Sequence, residues 1–533
     1  MTIDVFAIST SFGECLVITA DTKQQIQGAL QSQDFARAAR IAETALAHGE
    51  SHETLYRLAA LQRQQEHDFH GAAEMLMHAV QLSPDDPDIL VAAADSMRHA
   101  GQLEQSVALF DDVLKRDQNM VAAWYGRALA LESSGELEAA RASYKQVAEL
   151  SPSMAPGYAG LSTTSAQLGD NTAARRYATQ AHELAPNDPA ACMALARCDM
   201  ADGDFAQAVA VLRQTSLDQV DLLTLLGDAL DRLGNFDEAF VAYTMANQRF
   251  VHSTPPSEVR LRVEEMEAAI TSLKPGDWKA TPNRQAGKPA QHVFLLGFPR
   301  SGTTLVEQVL ASLPDVVTLE ESPTLGAADD LLTGDGISRL AALPELDADN
   351  LRAAYWQCVA ARGIEVTGKT FVDMDPSKSA GLPVIACLFP EAKIIIMRRD
   401  PRDVVWSCFR RAFARNALTI EFSSLQSAAL HYAAIMRLMR ACIATLPLDT
   451  HTVIYEDLVR DFDTTTRDLC QFLNIPWSPV LRDFGSTARL GRIKTASAAQ
   501  VRQPLFDGSG QWKNYADKLE PVMPILAPWI DAS

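Results

Sequence analysis

Residues that could bind an anion follow a short apolar run in the second half of this 533-residue chain. The run, residues 292–296, has the composition of a buried strand. Gly297, Pro299 and Gly302 then predict a turn, and a helical apolar pattern begins at Leu305. A strand, a loop of small residues and a helix together point backbone N–H groups at one place. Such a place suits a phosphate or a sulfate group.

Side chains of this loop strengthen the prediction of an anion site. Arg300 supplies a permanent cation with a forked set of donors, and Thr303 and Thr304 supply hydroxyl groups. The loop that binds ATP or GTP requires a Lys directly after its last glycine, whereas Gly302 is followed by Thr303. A kinase on a related sheet is therefore the weaker alternative. The other alternative is a strand-to-helix turn that binds nothing.

The charge balance predicts a second group of anion ligands. The chain carries 47 Lys and Arg against 67 Asp and Glu, a formal net charge of −20, which argues against nucleic acid and acidic membrane surfaces as partners. An acidic protein that binds a polyanion must concentrate its cations locally. Residues 393–411 contain six cations against two Asp, and these cations are Lys393, Arg398, Arg399, Arg402, Arg410 and Arg411.

This basic cluster lies where a strand gives way to a helix. The β-branched run 394–396 predicts a buried parallel strand, which Asp400-Pro401 breaks, and Ser407 falls about two turns into the next helix. Because Arg forks match phosphate oxygens, Arg399 at the strand end is a candidate phosphate ligand. The alternative is a solvated helix start whose charges pair at the surface.

A pair of carboxylates follows the loop. Glu321 comes 21 residues after Arg300 and is preceded by Glu320, and the short apolar segment 316–319 predicts a strand that returns them to the loop. A carboxylate there could take the proton of an attacking hydroxyl, and such a base contributes ~10²–10⁴ in rate. The alternative is that both side chains only stabilise the start of a helix.

The segment Phe298–Leu305 resembles the 5′-phosphosulfate loop of sulfotransferases, which move a sulfuryl group from 3′-phosphoadenosine 5′-phosphosulfate (PAPS) to a hydroxyl or an amine. Arg rather than Lys at position 300 resembles the protein-tyrosine sulfotransferase branch and its bacterial relatives. The resemblance implies PAPS as co-substrate and no metal. It implies contacts to PAPS from Arg300, Ser301, Gly302, Thr303, Thr304 and Leu305.

The same resemblance implies roles for residues far from the loop. Glu321 would be the general base, and Arg300 would share in catalysis. Arg399 and Ser407 would hold the 3′-phosphate of PAPS. Tyr455, in the segment Tyr-Glu-Asp, would lie near the nucleotide, although simple packing in the core is the alternative for this side chain.

A polar segment near the C-terminus completes the resemblance. Residues 494–504 and the following Gly508-Ser509-Gly510 resemble a loop that closes over the co-substrate in sulfotransferases. Ser497 matches the contact found in that loop. Lys494 and Arg502 are candidate phosphate contacts, with ordinary surface roles as the alternative.

One position departs from the sulfotransferase pattern. Met374 stands where the family has a Lys that neutralises the sulfuryl group during transfer. Lys369 or Lys378 could substitute from nearby, or the activity is altered. The departure favours a second hypothesis, in which the chain is an interaction scaffold with a degenerate nucleotide-binding domain.

The first half of the chain has a period of 34 residues. Glycines recur at 101, 135, 169 and 203, and Gln33 and His67 occupy the same slot further back. A small residue follows each slot after five positions. This period is typical of tetratricopeptide repeats, which stack pairs of helices into a solenoid. Such an array could hold an acceptor protein, another partner or a second copy of the chain, or it could only stabilise the rest.

Strands alternate with helices from residue 292 to 476, which predicts a mainly parallel sheet in a P-loop-like α/β domain. The predicted organisation is therefore multidomain, with an all-α repeat solenoid before the α/β domain. The expected boundaries are an N-terminal extension at 1–18, the tetratricopeptide domain at 19–271, a linker at 272–290 and the sulfotransferase domain at 291–533.

The compartment is predicted from what the sequence lacks. Eight Cys are scattered without a paired motif, which favours reduced thiols. Neither a signal-peptide pattern nor a run of 18 apolar residues is found, so we expect a cytoplasmic protein without a membrane span.

Overall fold

The computed structural model describes residues 18–252, 258–274, 276–278, 289–413, 416–485, 505 and 507–530. Contacts divide the chain into two compact units. The first comprises Met1–Asp218 and Asp228–Gly234, and the second comprises Gln219–Gly227 and Asn235–Ser533. The domain boundaries expected from the sequence remain a prediction, and the division by contacts assigns residues 219–227 and 235–272 to the second unit.

The first unit is a run of helices in which each helix packs on its neighbour in sequence. Its helices are α1 (Ala20–Gln31), α2 (Phe35–Ala47), α3 (Glu53–Gln65), α4 (Phe69–Leu82), α5 (Pro87–His99), α6 (Leu103–Arg116), α7 (Val121–Ser134), α8 (Leu137–Leu150), α9 (Ala155–Gln167), α10 (Asn171–Leu184), α11 (Pro189–Asp202) and α12 (Phe205–Leu212). The next helix, α13 (Val220–Arg232), has residues in both units.

The repeat slot inferred from the glycine spacing is a backbone feature. Gly135 and Gly203 end their helices in the left-handed region, with φ of 81° and 83°. Gln33 and His67 have no such freedom, yet their φ values are 56° and 61°. Five residues on, small side chains such as Ala140 are fully buried, which lets helices approach closely. The predicted helical solenoid is confirmed.

The second unit contains a five-stranded sheet. Its strands are β1 (Gln291–Gly297), β2 (Val316–Glu320), β3 (Thr370–Met374), β4 (Lys393–Arg398) and β5 (Asp449–Ile454). The order is β2-β3-β1-β4-β5, and every pairing is parallel. Leu295 lies opposite Met374 on one side and Ile395 on the other. The predicted parallel sheet is confirmed.

Helices surround this sheet. The α-helices of the second unit are α14 (Phe236–His252), α15 (Val259–Ser272), α16 (Thr303–Ala311), α17 (Gly336–Ala341), α18 (Glu345–Ala361), α19 (Leu382–Leu388), α20 (Pro401–Phe409), α21 (Ala417–Ile420), α22 (Leu425–Thr445), α23 (Tyr455–Arg460), α24 (Phe462–Leu473), α25 (Ala516–Leu519) and α26 (Met523–Ile530). The 3₁₀ helices are Gly326–Leu332, Pro376–Gly381, Pro479–Asp483, Gln511–Tyr515 and Glu520–Val522.

Both faces of the sheet are covered, and the apolar runs of its central strands, residues 293–296 of β1 and 394–397 of β4, are buried. On one face Leu295 and Val372 pack with the buried residues of α16 and α24. On the other face the rings of Phe294 and Tyr355 lie 6.1 Å apart. Because all strands run the same way, the residues that follow them meet at one edge, where ligands bind in such sheets. Among the described residues, no helix combines the length and apolar character needed to cross a membrane.

Candidate active site

The loop after β1 is shaped by two left-handed residues. Arg300 has a φ of 71° and Gly302 a φ of 105°. A Cβ on Gly302 would lie 2.8 Å from Cδ2 of Tyr455, so a side chain does not fit there. The loop therefore packs its backbone directly against an aromatic ring, and α16 begins at the next residue.

The start of α16 is open to an anion. No side chain of the described residues caps this helix, whose first N–H groups have no acceptor within the helix. Ser301, Thr303 and Thr304 are at most 5% exposed. The hydroxyl of Ser301 is buried and has no hydrogen-bond partner in the described part of the chain. These donors fit a group rich in oxygen acceptors, and the positive end of the helix dipole favours a negative one.

Arg300 and Arg399 join the loop to the basic cluster. The Nε of Arg300 donates to Oγ of Ser407 at 3.0 Å. The Nη1 of Arg399 donates to the backbone carbonyl of Arg300 at 3.2 Å. The structure therefore brings the first and third predicted motifs together, although about 100 residues separate them in sequence.

Positive charge is concentrated around Arg300. Burial first, and then repulsion from Arg411, Arg399 and Arg410, together lower the pKa of this guanidinium to about 10, while Cys408 acts in the opposite direction. Crowded cations repel one another in a poorly solvated site. A bound anion would relieve that repulsion, so the residues present fit a polyanionic ligand.

Tyr455 serves both the core and the site. Its ring is 8% exposed, and the guanidinium of Arg399 lies 4.5 Å from the ring centroid. Its hydroxyl accepts from the N–H of Gly508 at 3.2 Å, while Nη2 of Arg399 donates to the carbonyl of Gly508 at 2.6 Å. The segment near the C-terminus thus contacts both Tyr455 and Arg399 through Gly508.

Asp403 is a site residue that the sequence analysis missed. This carboxylate is 1% exposed and accepts from the N–H groups of Gly510 at 2.6 Å and Trp512 at 2.9 Å. It anchors the segment that contacts Arg399. In the sequence, Asp403 is marked only by its position among the cations of residues 393–411. An ion pair at the surface accounts for an Asp at such a position equally well. Lys494, Ser497 and Arg502 lie outside the described residues.

Glu321 lies at the end of β2, beside the end of β3. Its N–H donates to the carbonyl of Met374 at 2.8 Å, and its own φ is 35°. Partial burial raises the pKa of its carboxyl to about 7, as do Asp375 and Glu320, while Arg300 lowers it. A carboxylate that titrates near neutrality and lies within electrostatic range of the loop can act as a general base.

The cation that the sequence lacks at position 374 is not replaced from either neighbour considered. Met374 is completely buried. Lys369 precedes β3, which puts it at the opposite end of the strand from the loop. Lys378 is 6% exposed and its ammonium is paired with Asp373. Among the described residues, no cluster of three or more His, Cys, Asp or Glu could hold a metal ion.

Comparison with known families agrees with this geometry. Residues 292–479 match the sulfotransferase family, and residues 91–155 and 165–221 match two tetratricopeptide repeat families. The sulfotransferase match therefore begins with β1 and ends after α24. It includes the loop, Glu321, Arg399, Ser407 and Tyr455.

Three relatives illustrate the similarity. A protein of Aquifex aeolicus, described only as uncharacterized, is 26% identical over 313 residues, or 57% of this chain and 40% of its own length. Protein-tyrosine sulfotransferase 1 of Danio rerio is 29% identical over 41% of this chain and 63% of its own length. The human protein-tyrosine sulfotransferase 1 is 25% identical over 51% of this chain and 77% of its own length.

Proposed function

We propose that this chain, which joins a sulfotransferase-family domain to tetratricopeptide repeats, is a sulfotransferase that uses PAPS as its donor. The donor would lie across the loop, α20 and the segment around Gly508. The uncapped start of α16 and the buried hydroxyl of Ser301 support binding of the 5′-phosphosulfate. No metal is needed in this proposal because guanidinium and amide groups neutralise the charge.

Arg399 and Ser407 would select the 3′-phosphate. The Nε of Arg399 is buried without an acceptor in the part of the chain that the structure describes. Ser407 accepts from Arg300, which leaves its own hydroxyl proton for a phosphate oxygen. Leu305 remains a proposed contact at the helix start, where its N–H donates to the carbonyl of Gly302 at 3.0 Å. The ring of Tyr455 would support Arg399. Lys494, Ser497 and Arg502 remain proposed contacts from the closing loop.

The proposed reaction is the attack of an acceptor hydroxyl on sulfur. PAPS supplies the sulfuryl group. An oxygen–sulfur bond forms to the acceptor, the bond from sulfur to the 5′-phosphate oxygen breaks, and adenosine 3′,5′-bisphosphate leaves. Glu321 takes the proton of the acceptor hydroxyl. Arg300 and the loop amides stabilise the negative charge that builds on the departing oxygen.

The observation that carries this proposal is the bond from Arg300 to Ser407, because it joins the loop proposed for the phosphosulfate to the residue proposed for the 3′-phosphate. The test incubates the purified chain with ³⁵S-labelled PAPS and a cell extract and follows the label. We expect the label to move to an acceptor, such as a tyrosine or a sugar hydroxyl, and Glu321→Gln to reduce the rate at least 100-fold. The absence of any transfer by the wild-type chain would contradict the proposal.

Met374 favours a second candidate function, an interaction scaffold that binds the nucleotide without turning it over. The buried thioether cannot neutralise a sulfuryl group, and Lys378 is held by Asp373. The two functions differ in one result. Both functions predict binding of adenosine 3′,5′-bisphosphate, but a scaffold would form no labelled product from PAPS.

The repeats and the compartment complete the proposal. The first unit would hold an acceptor protein, another partner or a second copy of the chain. The seven Cys of the described residues are free thiols, which supports the reducing cytoplasm as the compartment. Co-purification of the chain with and without α1–α12, which belong to the first unit alone, tests whether the acceptor or a partner depends on the repeats.

A further inference from the structure

A buried carboxylate lies next to the position that departs from the sulfotransferase pattern. Asp373 precedes Met374 in β3 and is completely buried on the face of the sheet that packs against α18. Its Oδ1 pairs with the ammonium of Lys378. Its Oδ2 accepts from Oγ1 of Thr324 and from the hydroxyl of Tyr355, each at 2.8 Å. Every member of this group is at most 6% exposed.

Such a group is not explained by stability alone. A buried ion pair loses its hydration, and apolar residues of similar size often stabilise a protein as well or better. The carboxylate is nevertheless provided with three donors that come from three separate segments, which hold Thr324, Tyr355 and Lys378. Its geometry is therefore tightly specified.

The segments that meet at Asp373 include the turn that carries Glu321. Thr324 is three residues beyond Glu321, and it is the side chain of this turn that reaches Asp373. The N–H of Glu321 donates to the carbonyl of Met374, the residue next to Asp373. Two adjacent residues of β3 thus hold the turn, Asp373 through Thr324 and Met374 through Glu321.

The turn needs this support because its backbone is strained. Glu321 has a φ of 35°, a region that costs a side chain other than glycine about 1 kcal/mol or more. Without an external restraint, the residue would gain free energy by returning to an ordinary φ, and its carboxylate would swing away from the loop. The contacts to Asp373 and Met374 supply that restraint.

We infer that Asp373 is a positioning residue, which acts through Thr324 to hold the carboxylate of Glu321 beside the phosphosulfate loop. Lys378 neutralises Asp373 so that the anchor can be buried. Lys378, close to the Met374 position that differs from the sulfotransferase pattern, therefore contributes indirectly by neutralising Asp373. The inference rests on the proposed function, since it assigns the alignment of the base in that reaction.

The test measures how PAPS binding depends on pH, which needs no knowledge of the acceptor. The charged groups that interact with Glu321 are Arg300, Glu320, Asp375 and Glu307. When Glu321 loses its proton it repels the sulfuryl oxygens, so PAPS binds more weakly at pH 8 than at pH 6. We expect the dissociation constant of the wild-type chain to rise about threefold across this range. Glu321→Gln removes that part of the dependence.

Thr324→Val is the decisive variant, because it keeps the shape of the side chain and removes the donor to Asp373. We expect it to lose the same part of the pH dependence as Glu321→Gln, measured by calorimetry with PAPS. Thr324→Ser restores the donor and should behave as the wild type. Tyr355→Phe removes a different donor from the same carboxylate and should lower the melting temperature while keeping the pH dependence.

The outcomes separate this inference from the proposed function. If the wild-type chain binds no PAPS, the proposed function fails. If it binds PAPS but Thr324→Val keeps the full pH dependence, the positioning role of Asp373 is wrong. If Tyr355→Phe loses the pH dependence as fully as Thr324→Val, the action of Asp373 specifically through Thr324 is wrong. The inference is also overturned if the pH dependence of PAPS affinity is the same in the wild-type chain and in Glu321→Gln.

Discussion

Arg399 donates through Nη1 to the backbone carbonyl of Arg300 at 3.2 Å. This contact joins the residue after β4 to the loop after β1. Two neighbouring strands of the sheet thereby bring the residues that follow them together at one edge, which is the edge where parallel sheets bind ligands. The predictions below test the contribution of each part.

Replacing Arg399 should weaken nucleotide binding, whereas replacing an exposed Arg elsewhere should not. We expect Arg399→Met to reduce the affinity for adenosine 3′,5′-bisphosphate at least tenfold, about 1.4 kcal/mol, because a charged donor pair to the 3′-phosphate is lost. Calorimetric titration measures the affinity. The control is Arg460→Met, whose side chain is 72% exposed and pairs only at the surface with Asp457. Equal affinities for the two variants would exclude the assigned role of Arg399.

Gly302 should be intolerant of a side chain. Gly302→Ala adds a Cβ that would lie 2.8 Å from Tyr455 at a φ of 105°, so we expect a loss of about 1–3 kcal/mol in unfolding free energy together with weaker nucleotide binding. Denaturant titration measures the first effect. Gly326→Ala is a matched control, since a Cβ there meets nothing within 4 Å. A Gly302→Ala chain as stable as that control would contradict the packing described for the loop.

Sulfuryl transfer should follow the ionisation of Glu321. The base is active only when deprotonated, and its pKa is raised to about 7, first by burial. The rate should therefore rise as pH increases from 6 to 8 and level off above that range. Rates measured with labelled PAPS test this prediction, with Glu321→Gln as the control that should show no such rise. A wild-type rate already constant from pH 5 upward would be inconsistent with this base.

Glu307 should destabilise the chain at high pH. This carboxyl on α16 is 2% exposed, and burial raises its pKa to about 8, with further contributions from Glu320 and Glu321. A carboxyl whose pKa is higher in the folded state costs stability as pH rises from about 4.3, the ordinary value, through 8. Glu307→Gln should therefore raise the melting temperature at pH 8.5 and change it little at pH 5. The exposed Glu391→Gln should have no such pH-dependent effect.

A glycine in the repeat slot and a glycine inside a helix should respond oppositely to replacement by alanine. Gly135 has a φ of 81°, so Gly135→Ala should cost about 1 kcal/mol. Gly28 lies within α1 with open space around its Cβ position, so Gly28→Ala should gain about 0.5–1 kcal/mol. Thermal unfolding of the full chain followed by circular dichroism measures both. The same sign for both substitutions would contradict the assigned backbone conformations.

Much of this architecture could be predicted because it leaves a local or periodic signal. The 34-residue spacing located the left-handed slots at Gln33 and His67, where no glycine marks them. The loop from Phe298 to Leu305 and the strands at residues 292–296, 316–319 and 394–396 were also predicted from short patterns. These features depend on local backbone geometry, which can be predicted from the types of the residues in the segment itself.

Other features depend on contacts between distant segments and left no such signal. The bonds of Asp373 to Thr324 and Tyr355 join residues 49 and 18 positions apart. Helix α14 continues the repeat pattern, yet its Phe240 stacks on Trp406 of α20 with ring centroids 6.3 Å apart. An apolar stripe shows that a helix is covered but does not identify the covering element.

The most direct test of the central claim is a comparison of nucleotides by calorimetry. The site described around Arg399, Ser407 and the α16 N-terminus predicts that adenosine 3′,5′-bisphosphate binds at least tenfold more tightly than adenosine 5′-monophosphate and more tightly than ATP with magnesium. Tighter binding of ATP with magnesium, or equal binding of the two adenosine phosphates, would contradict the account.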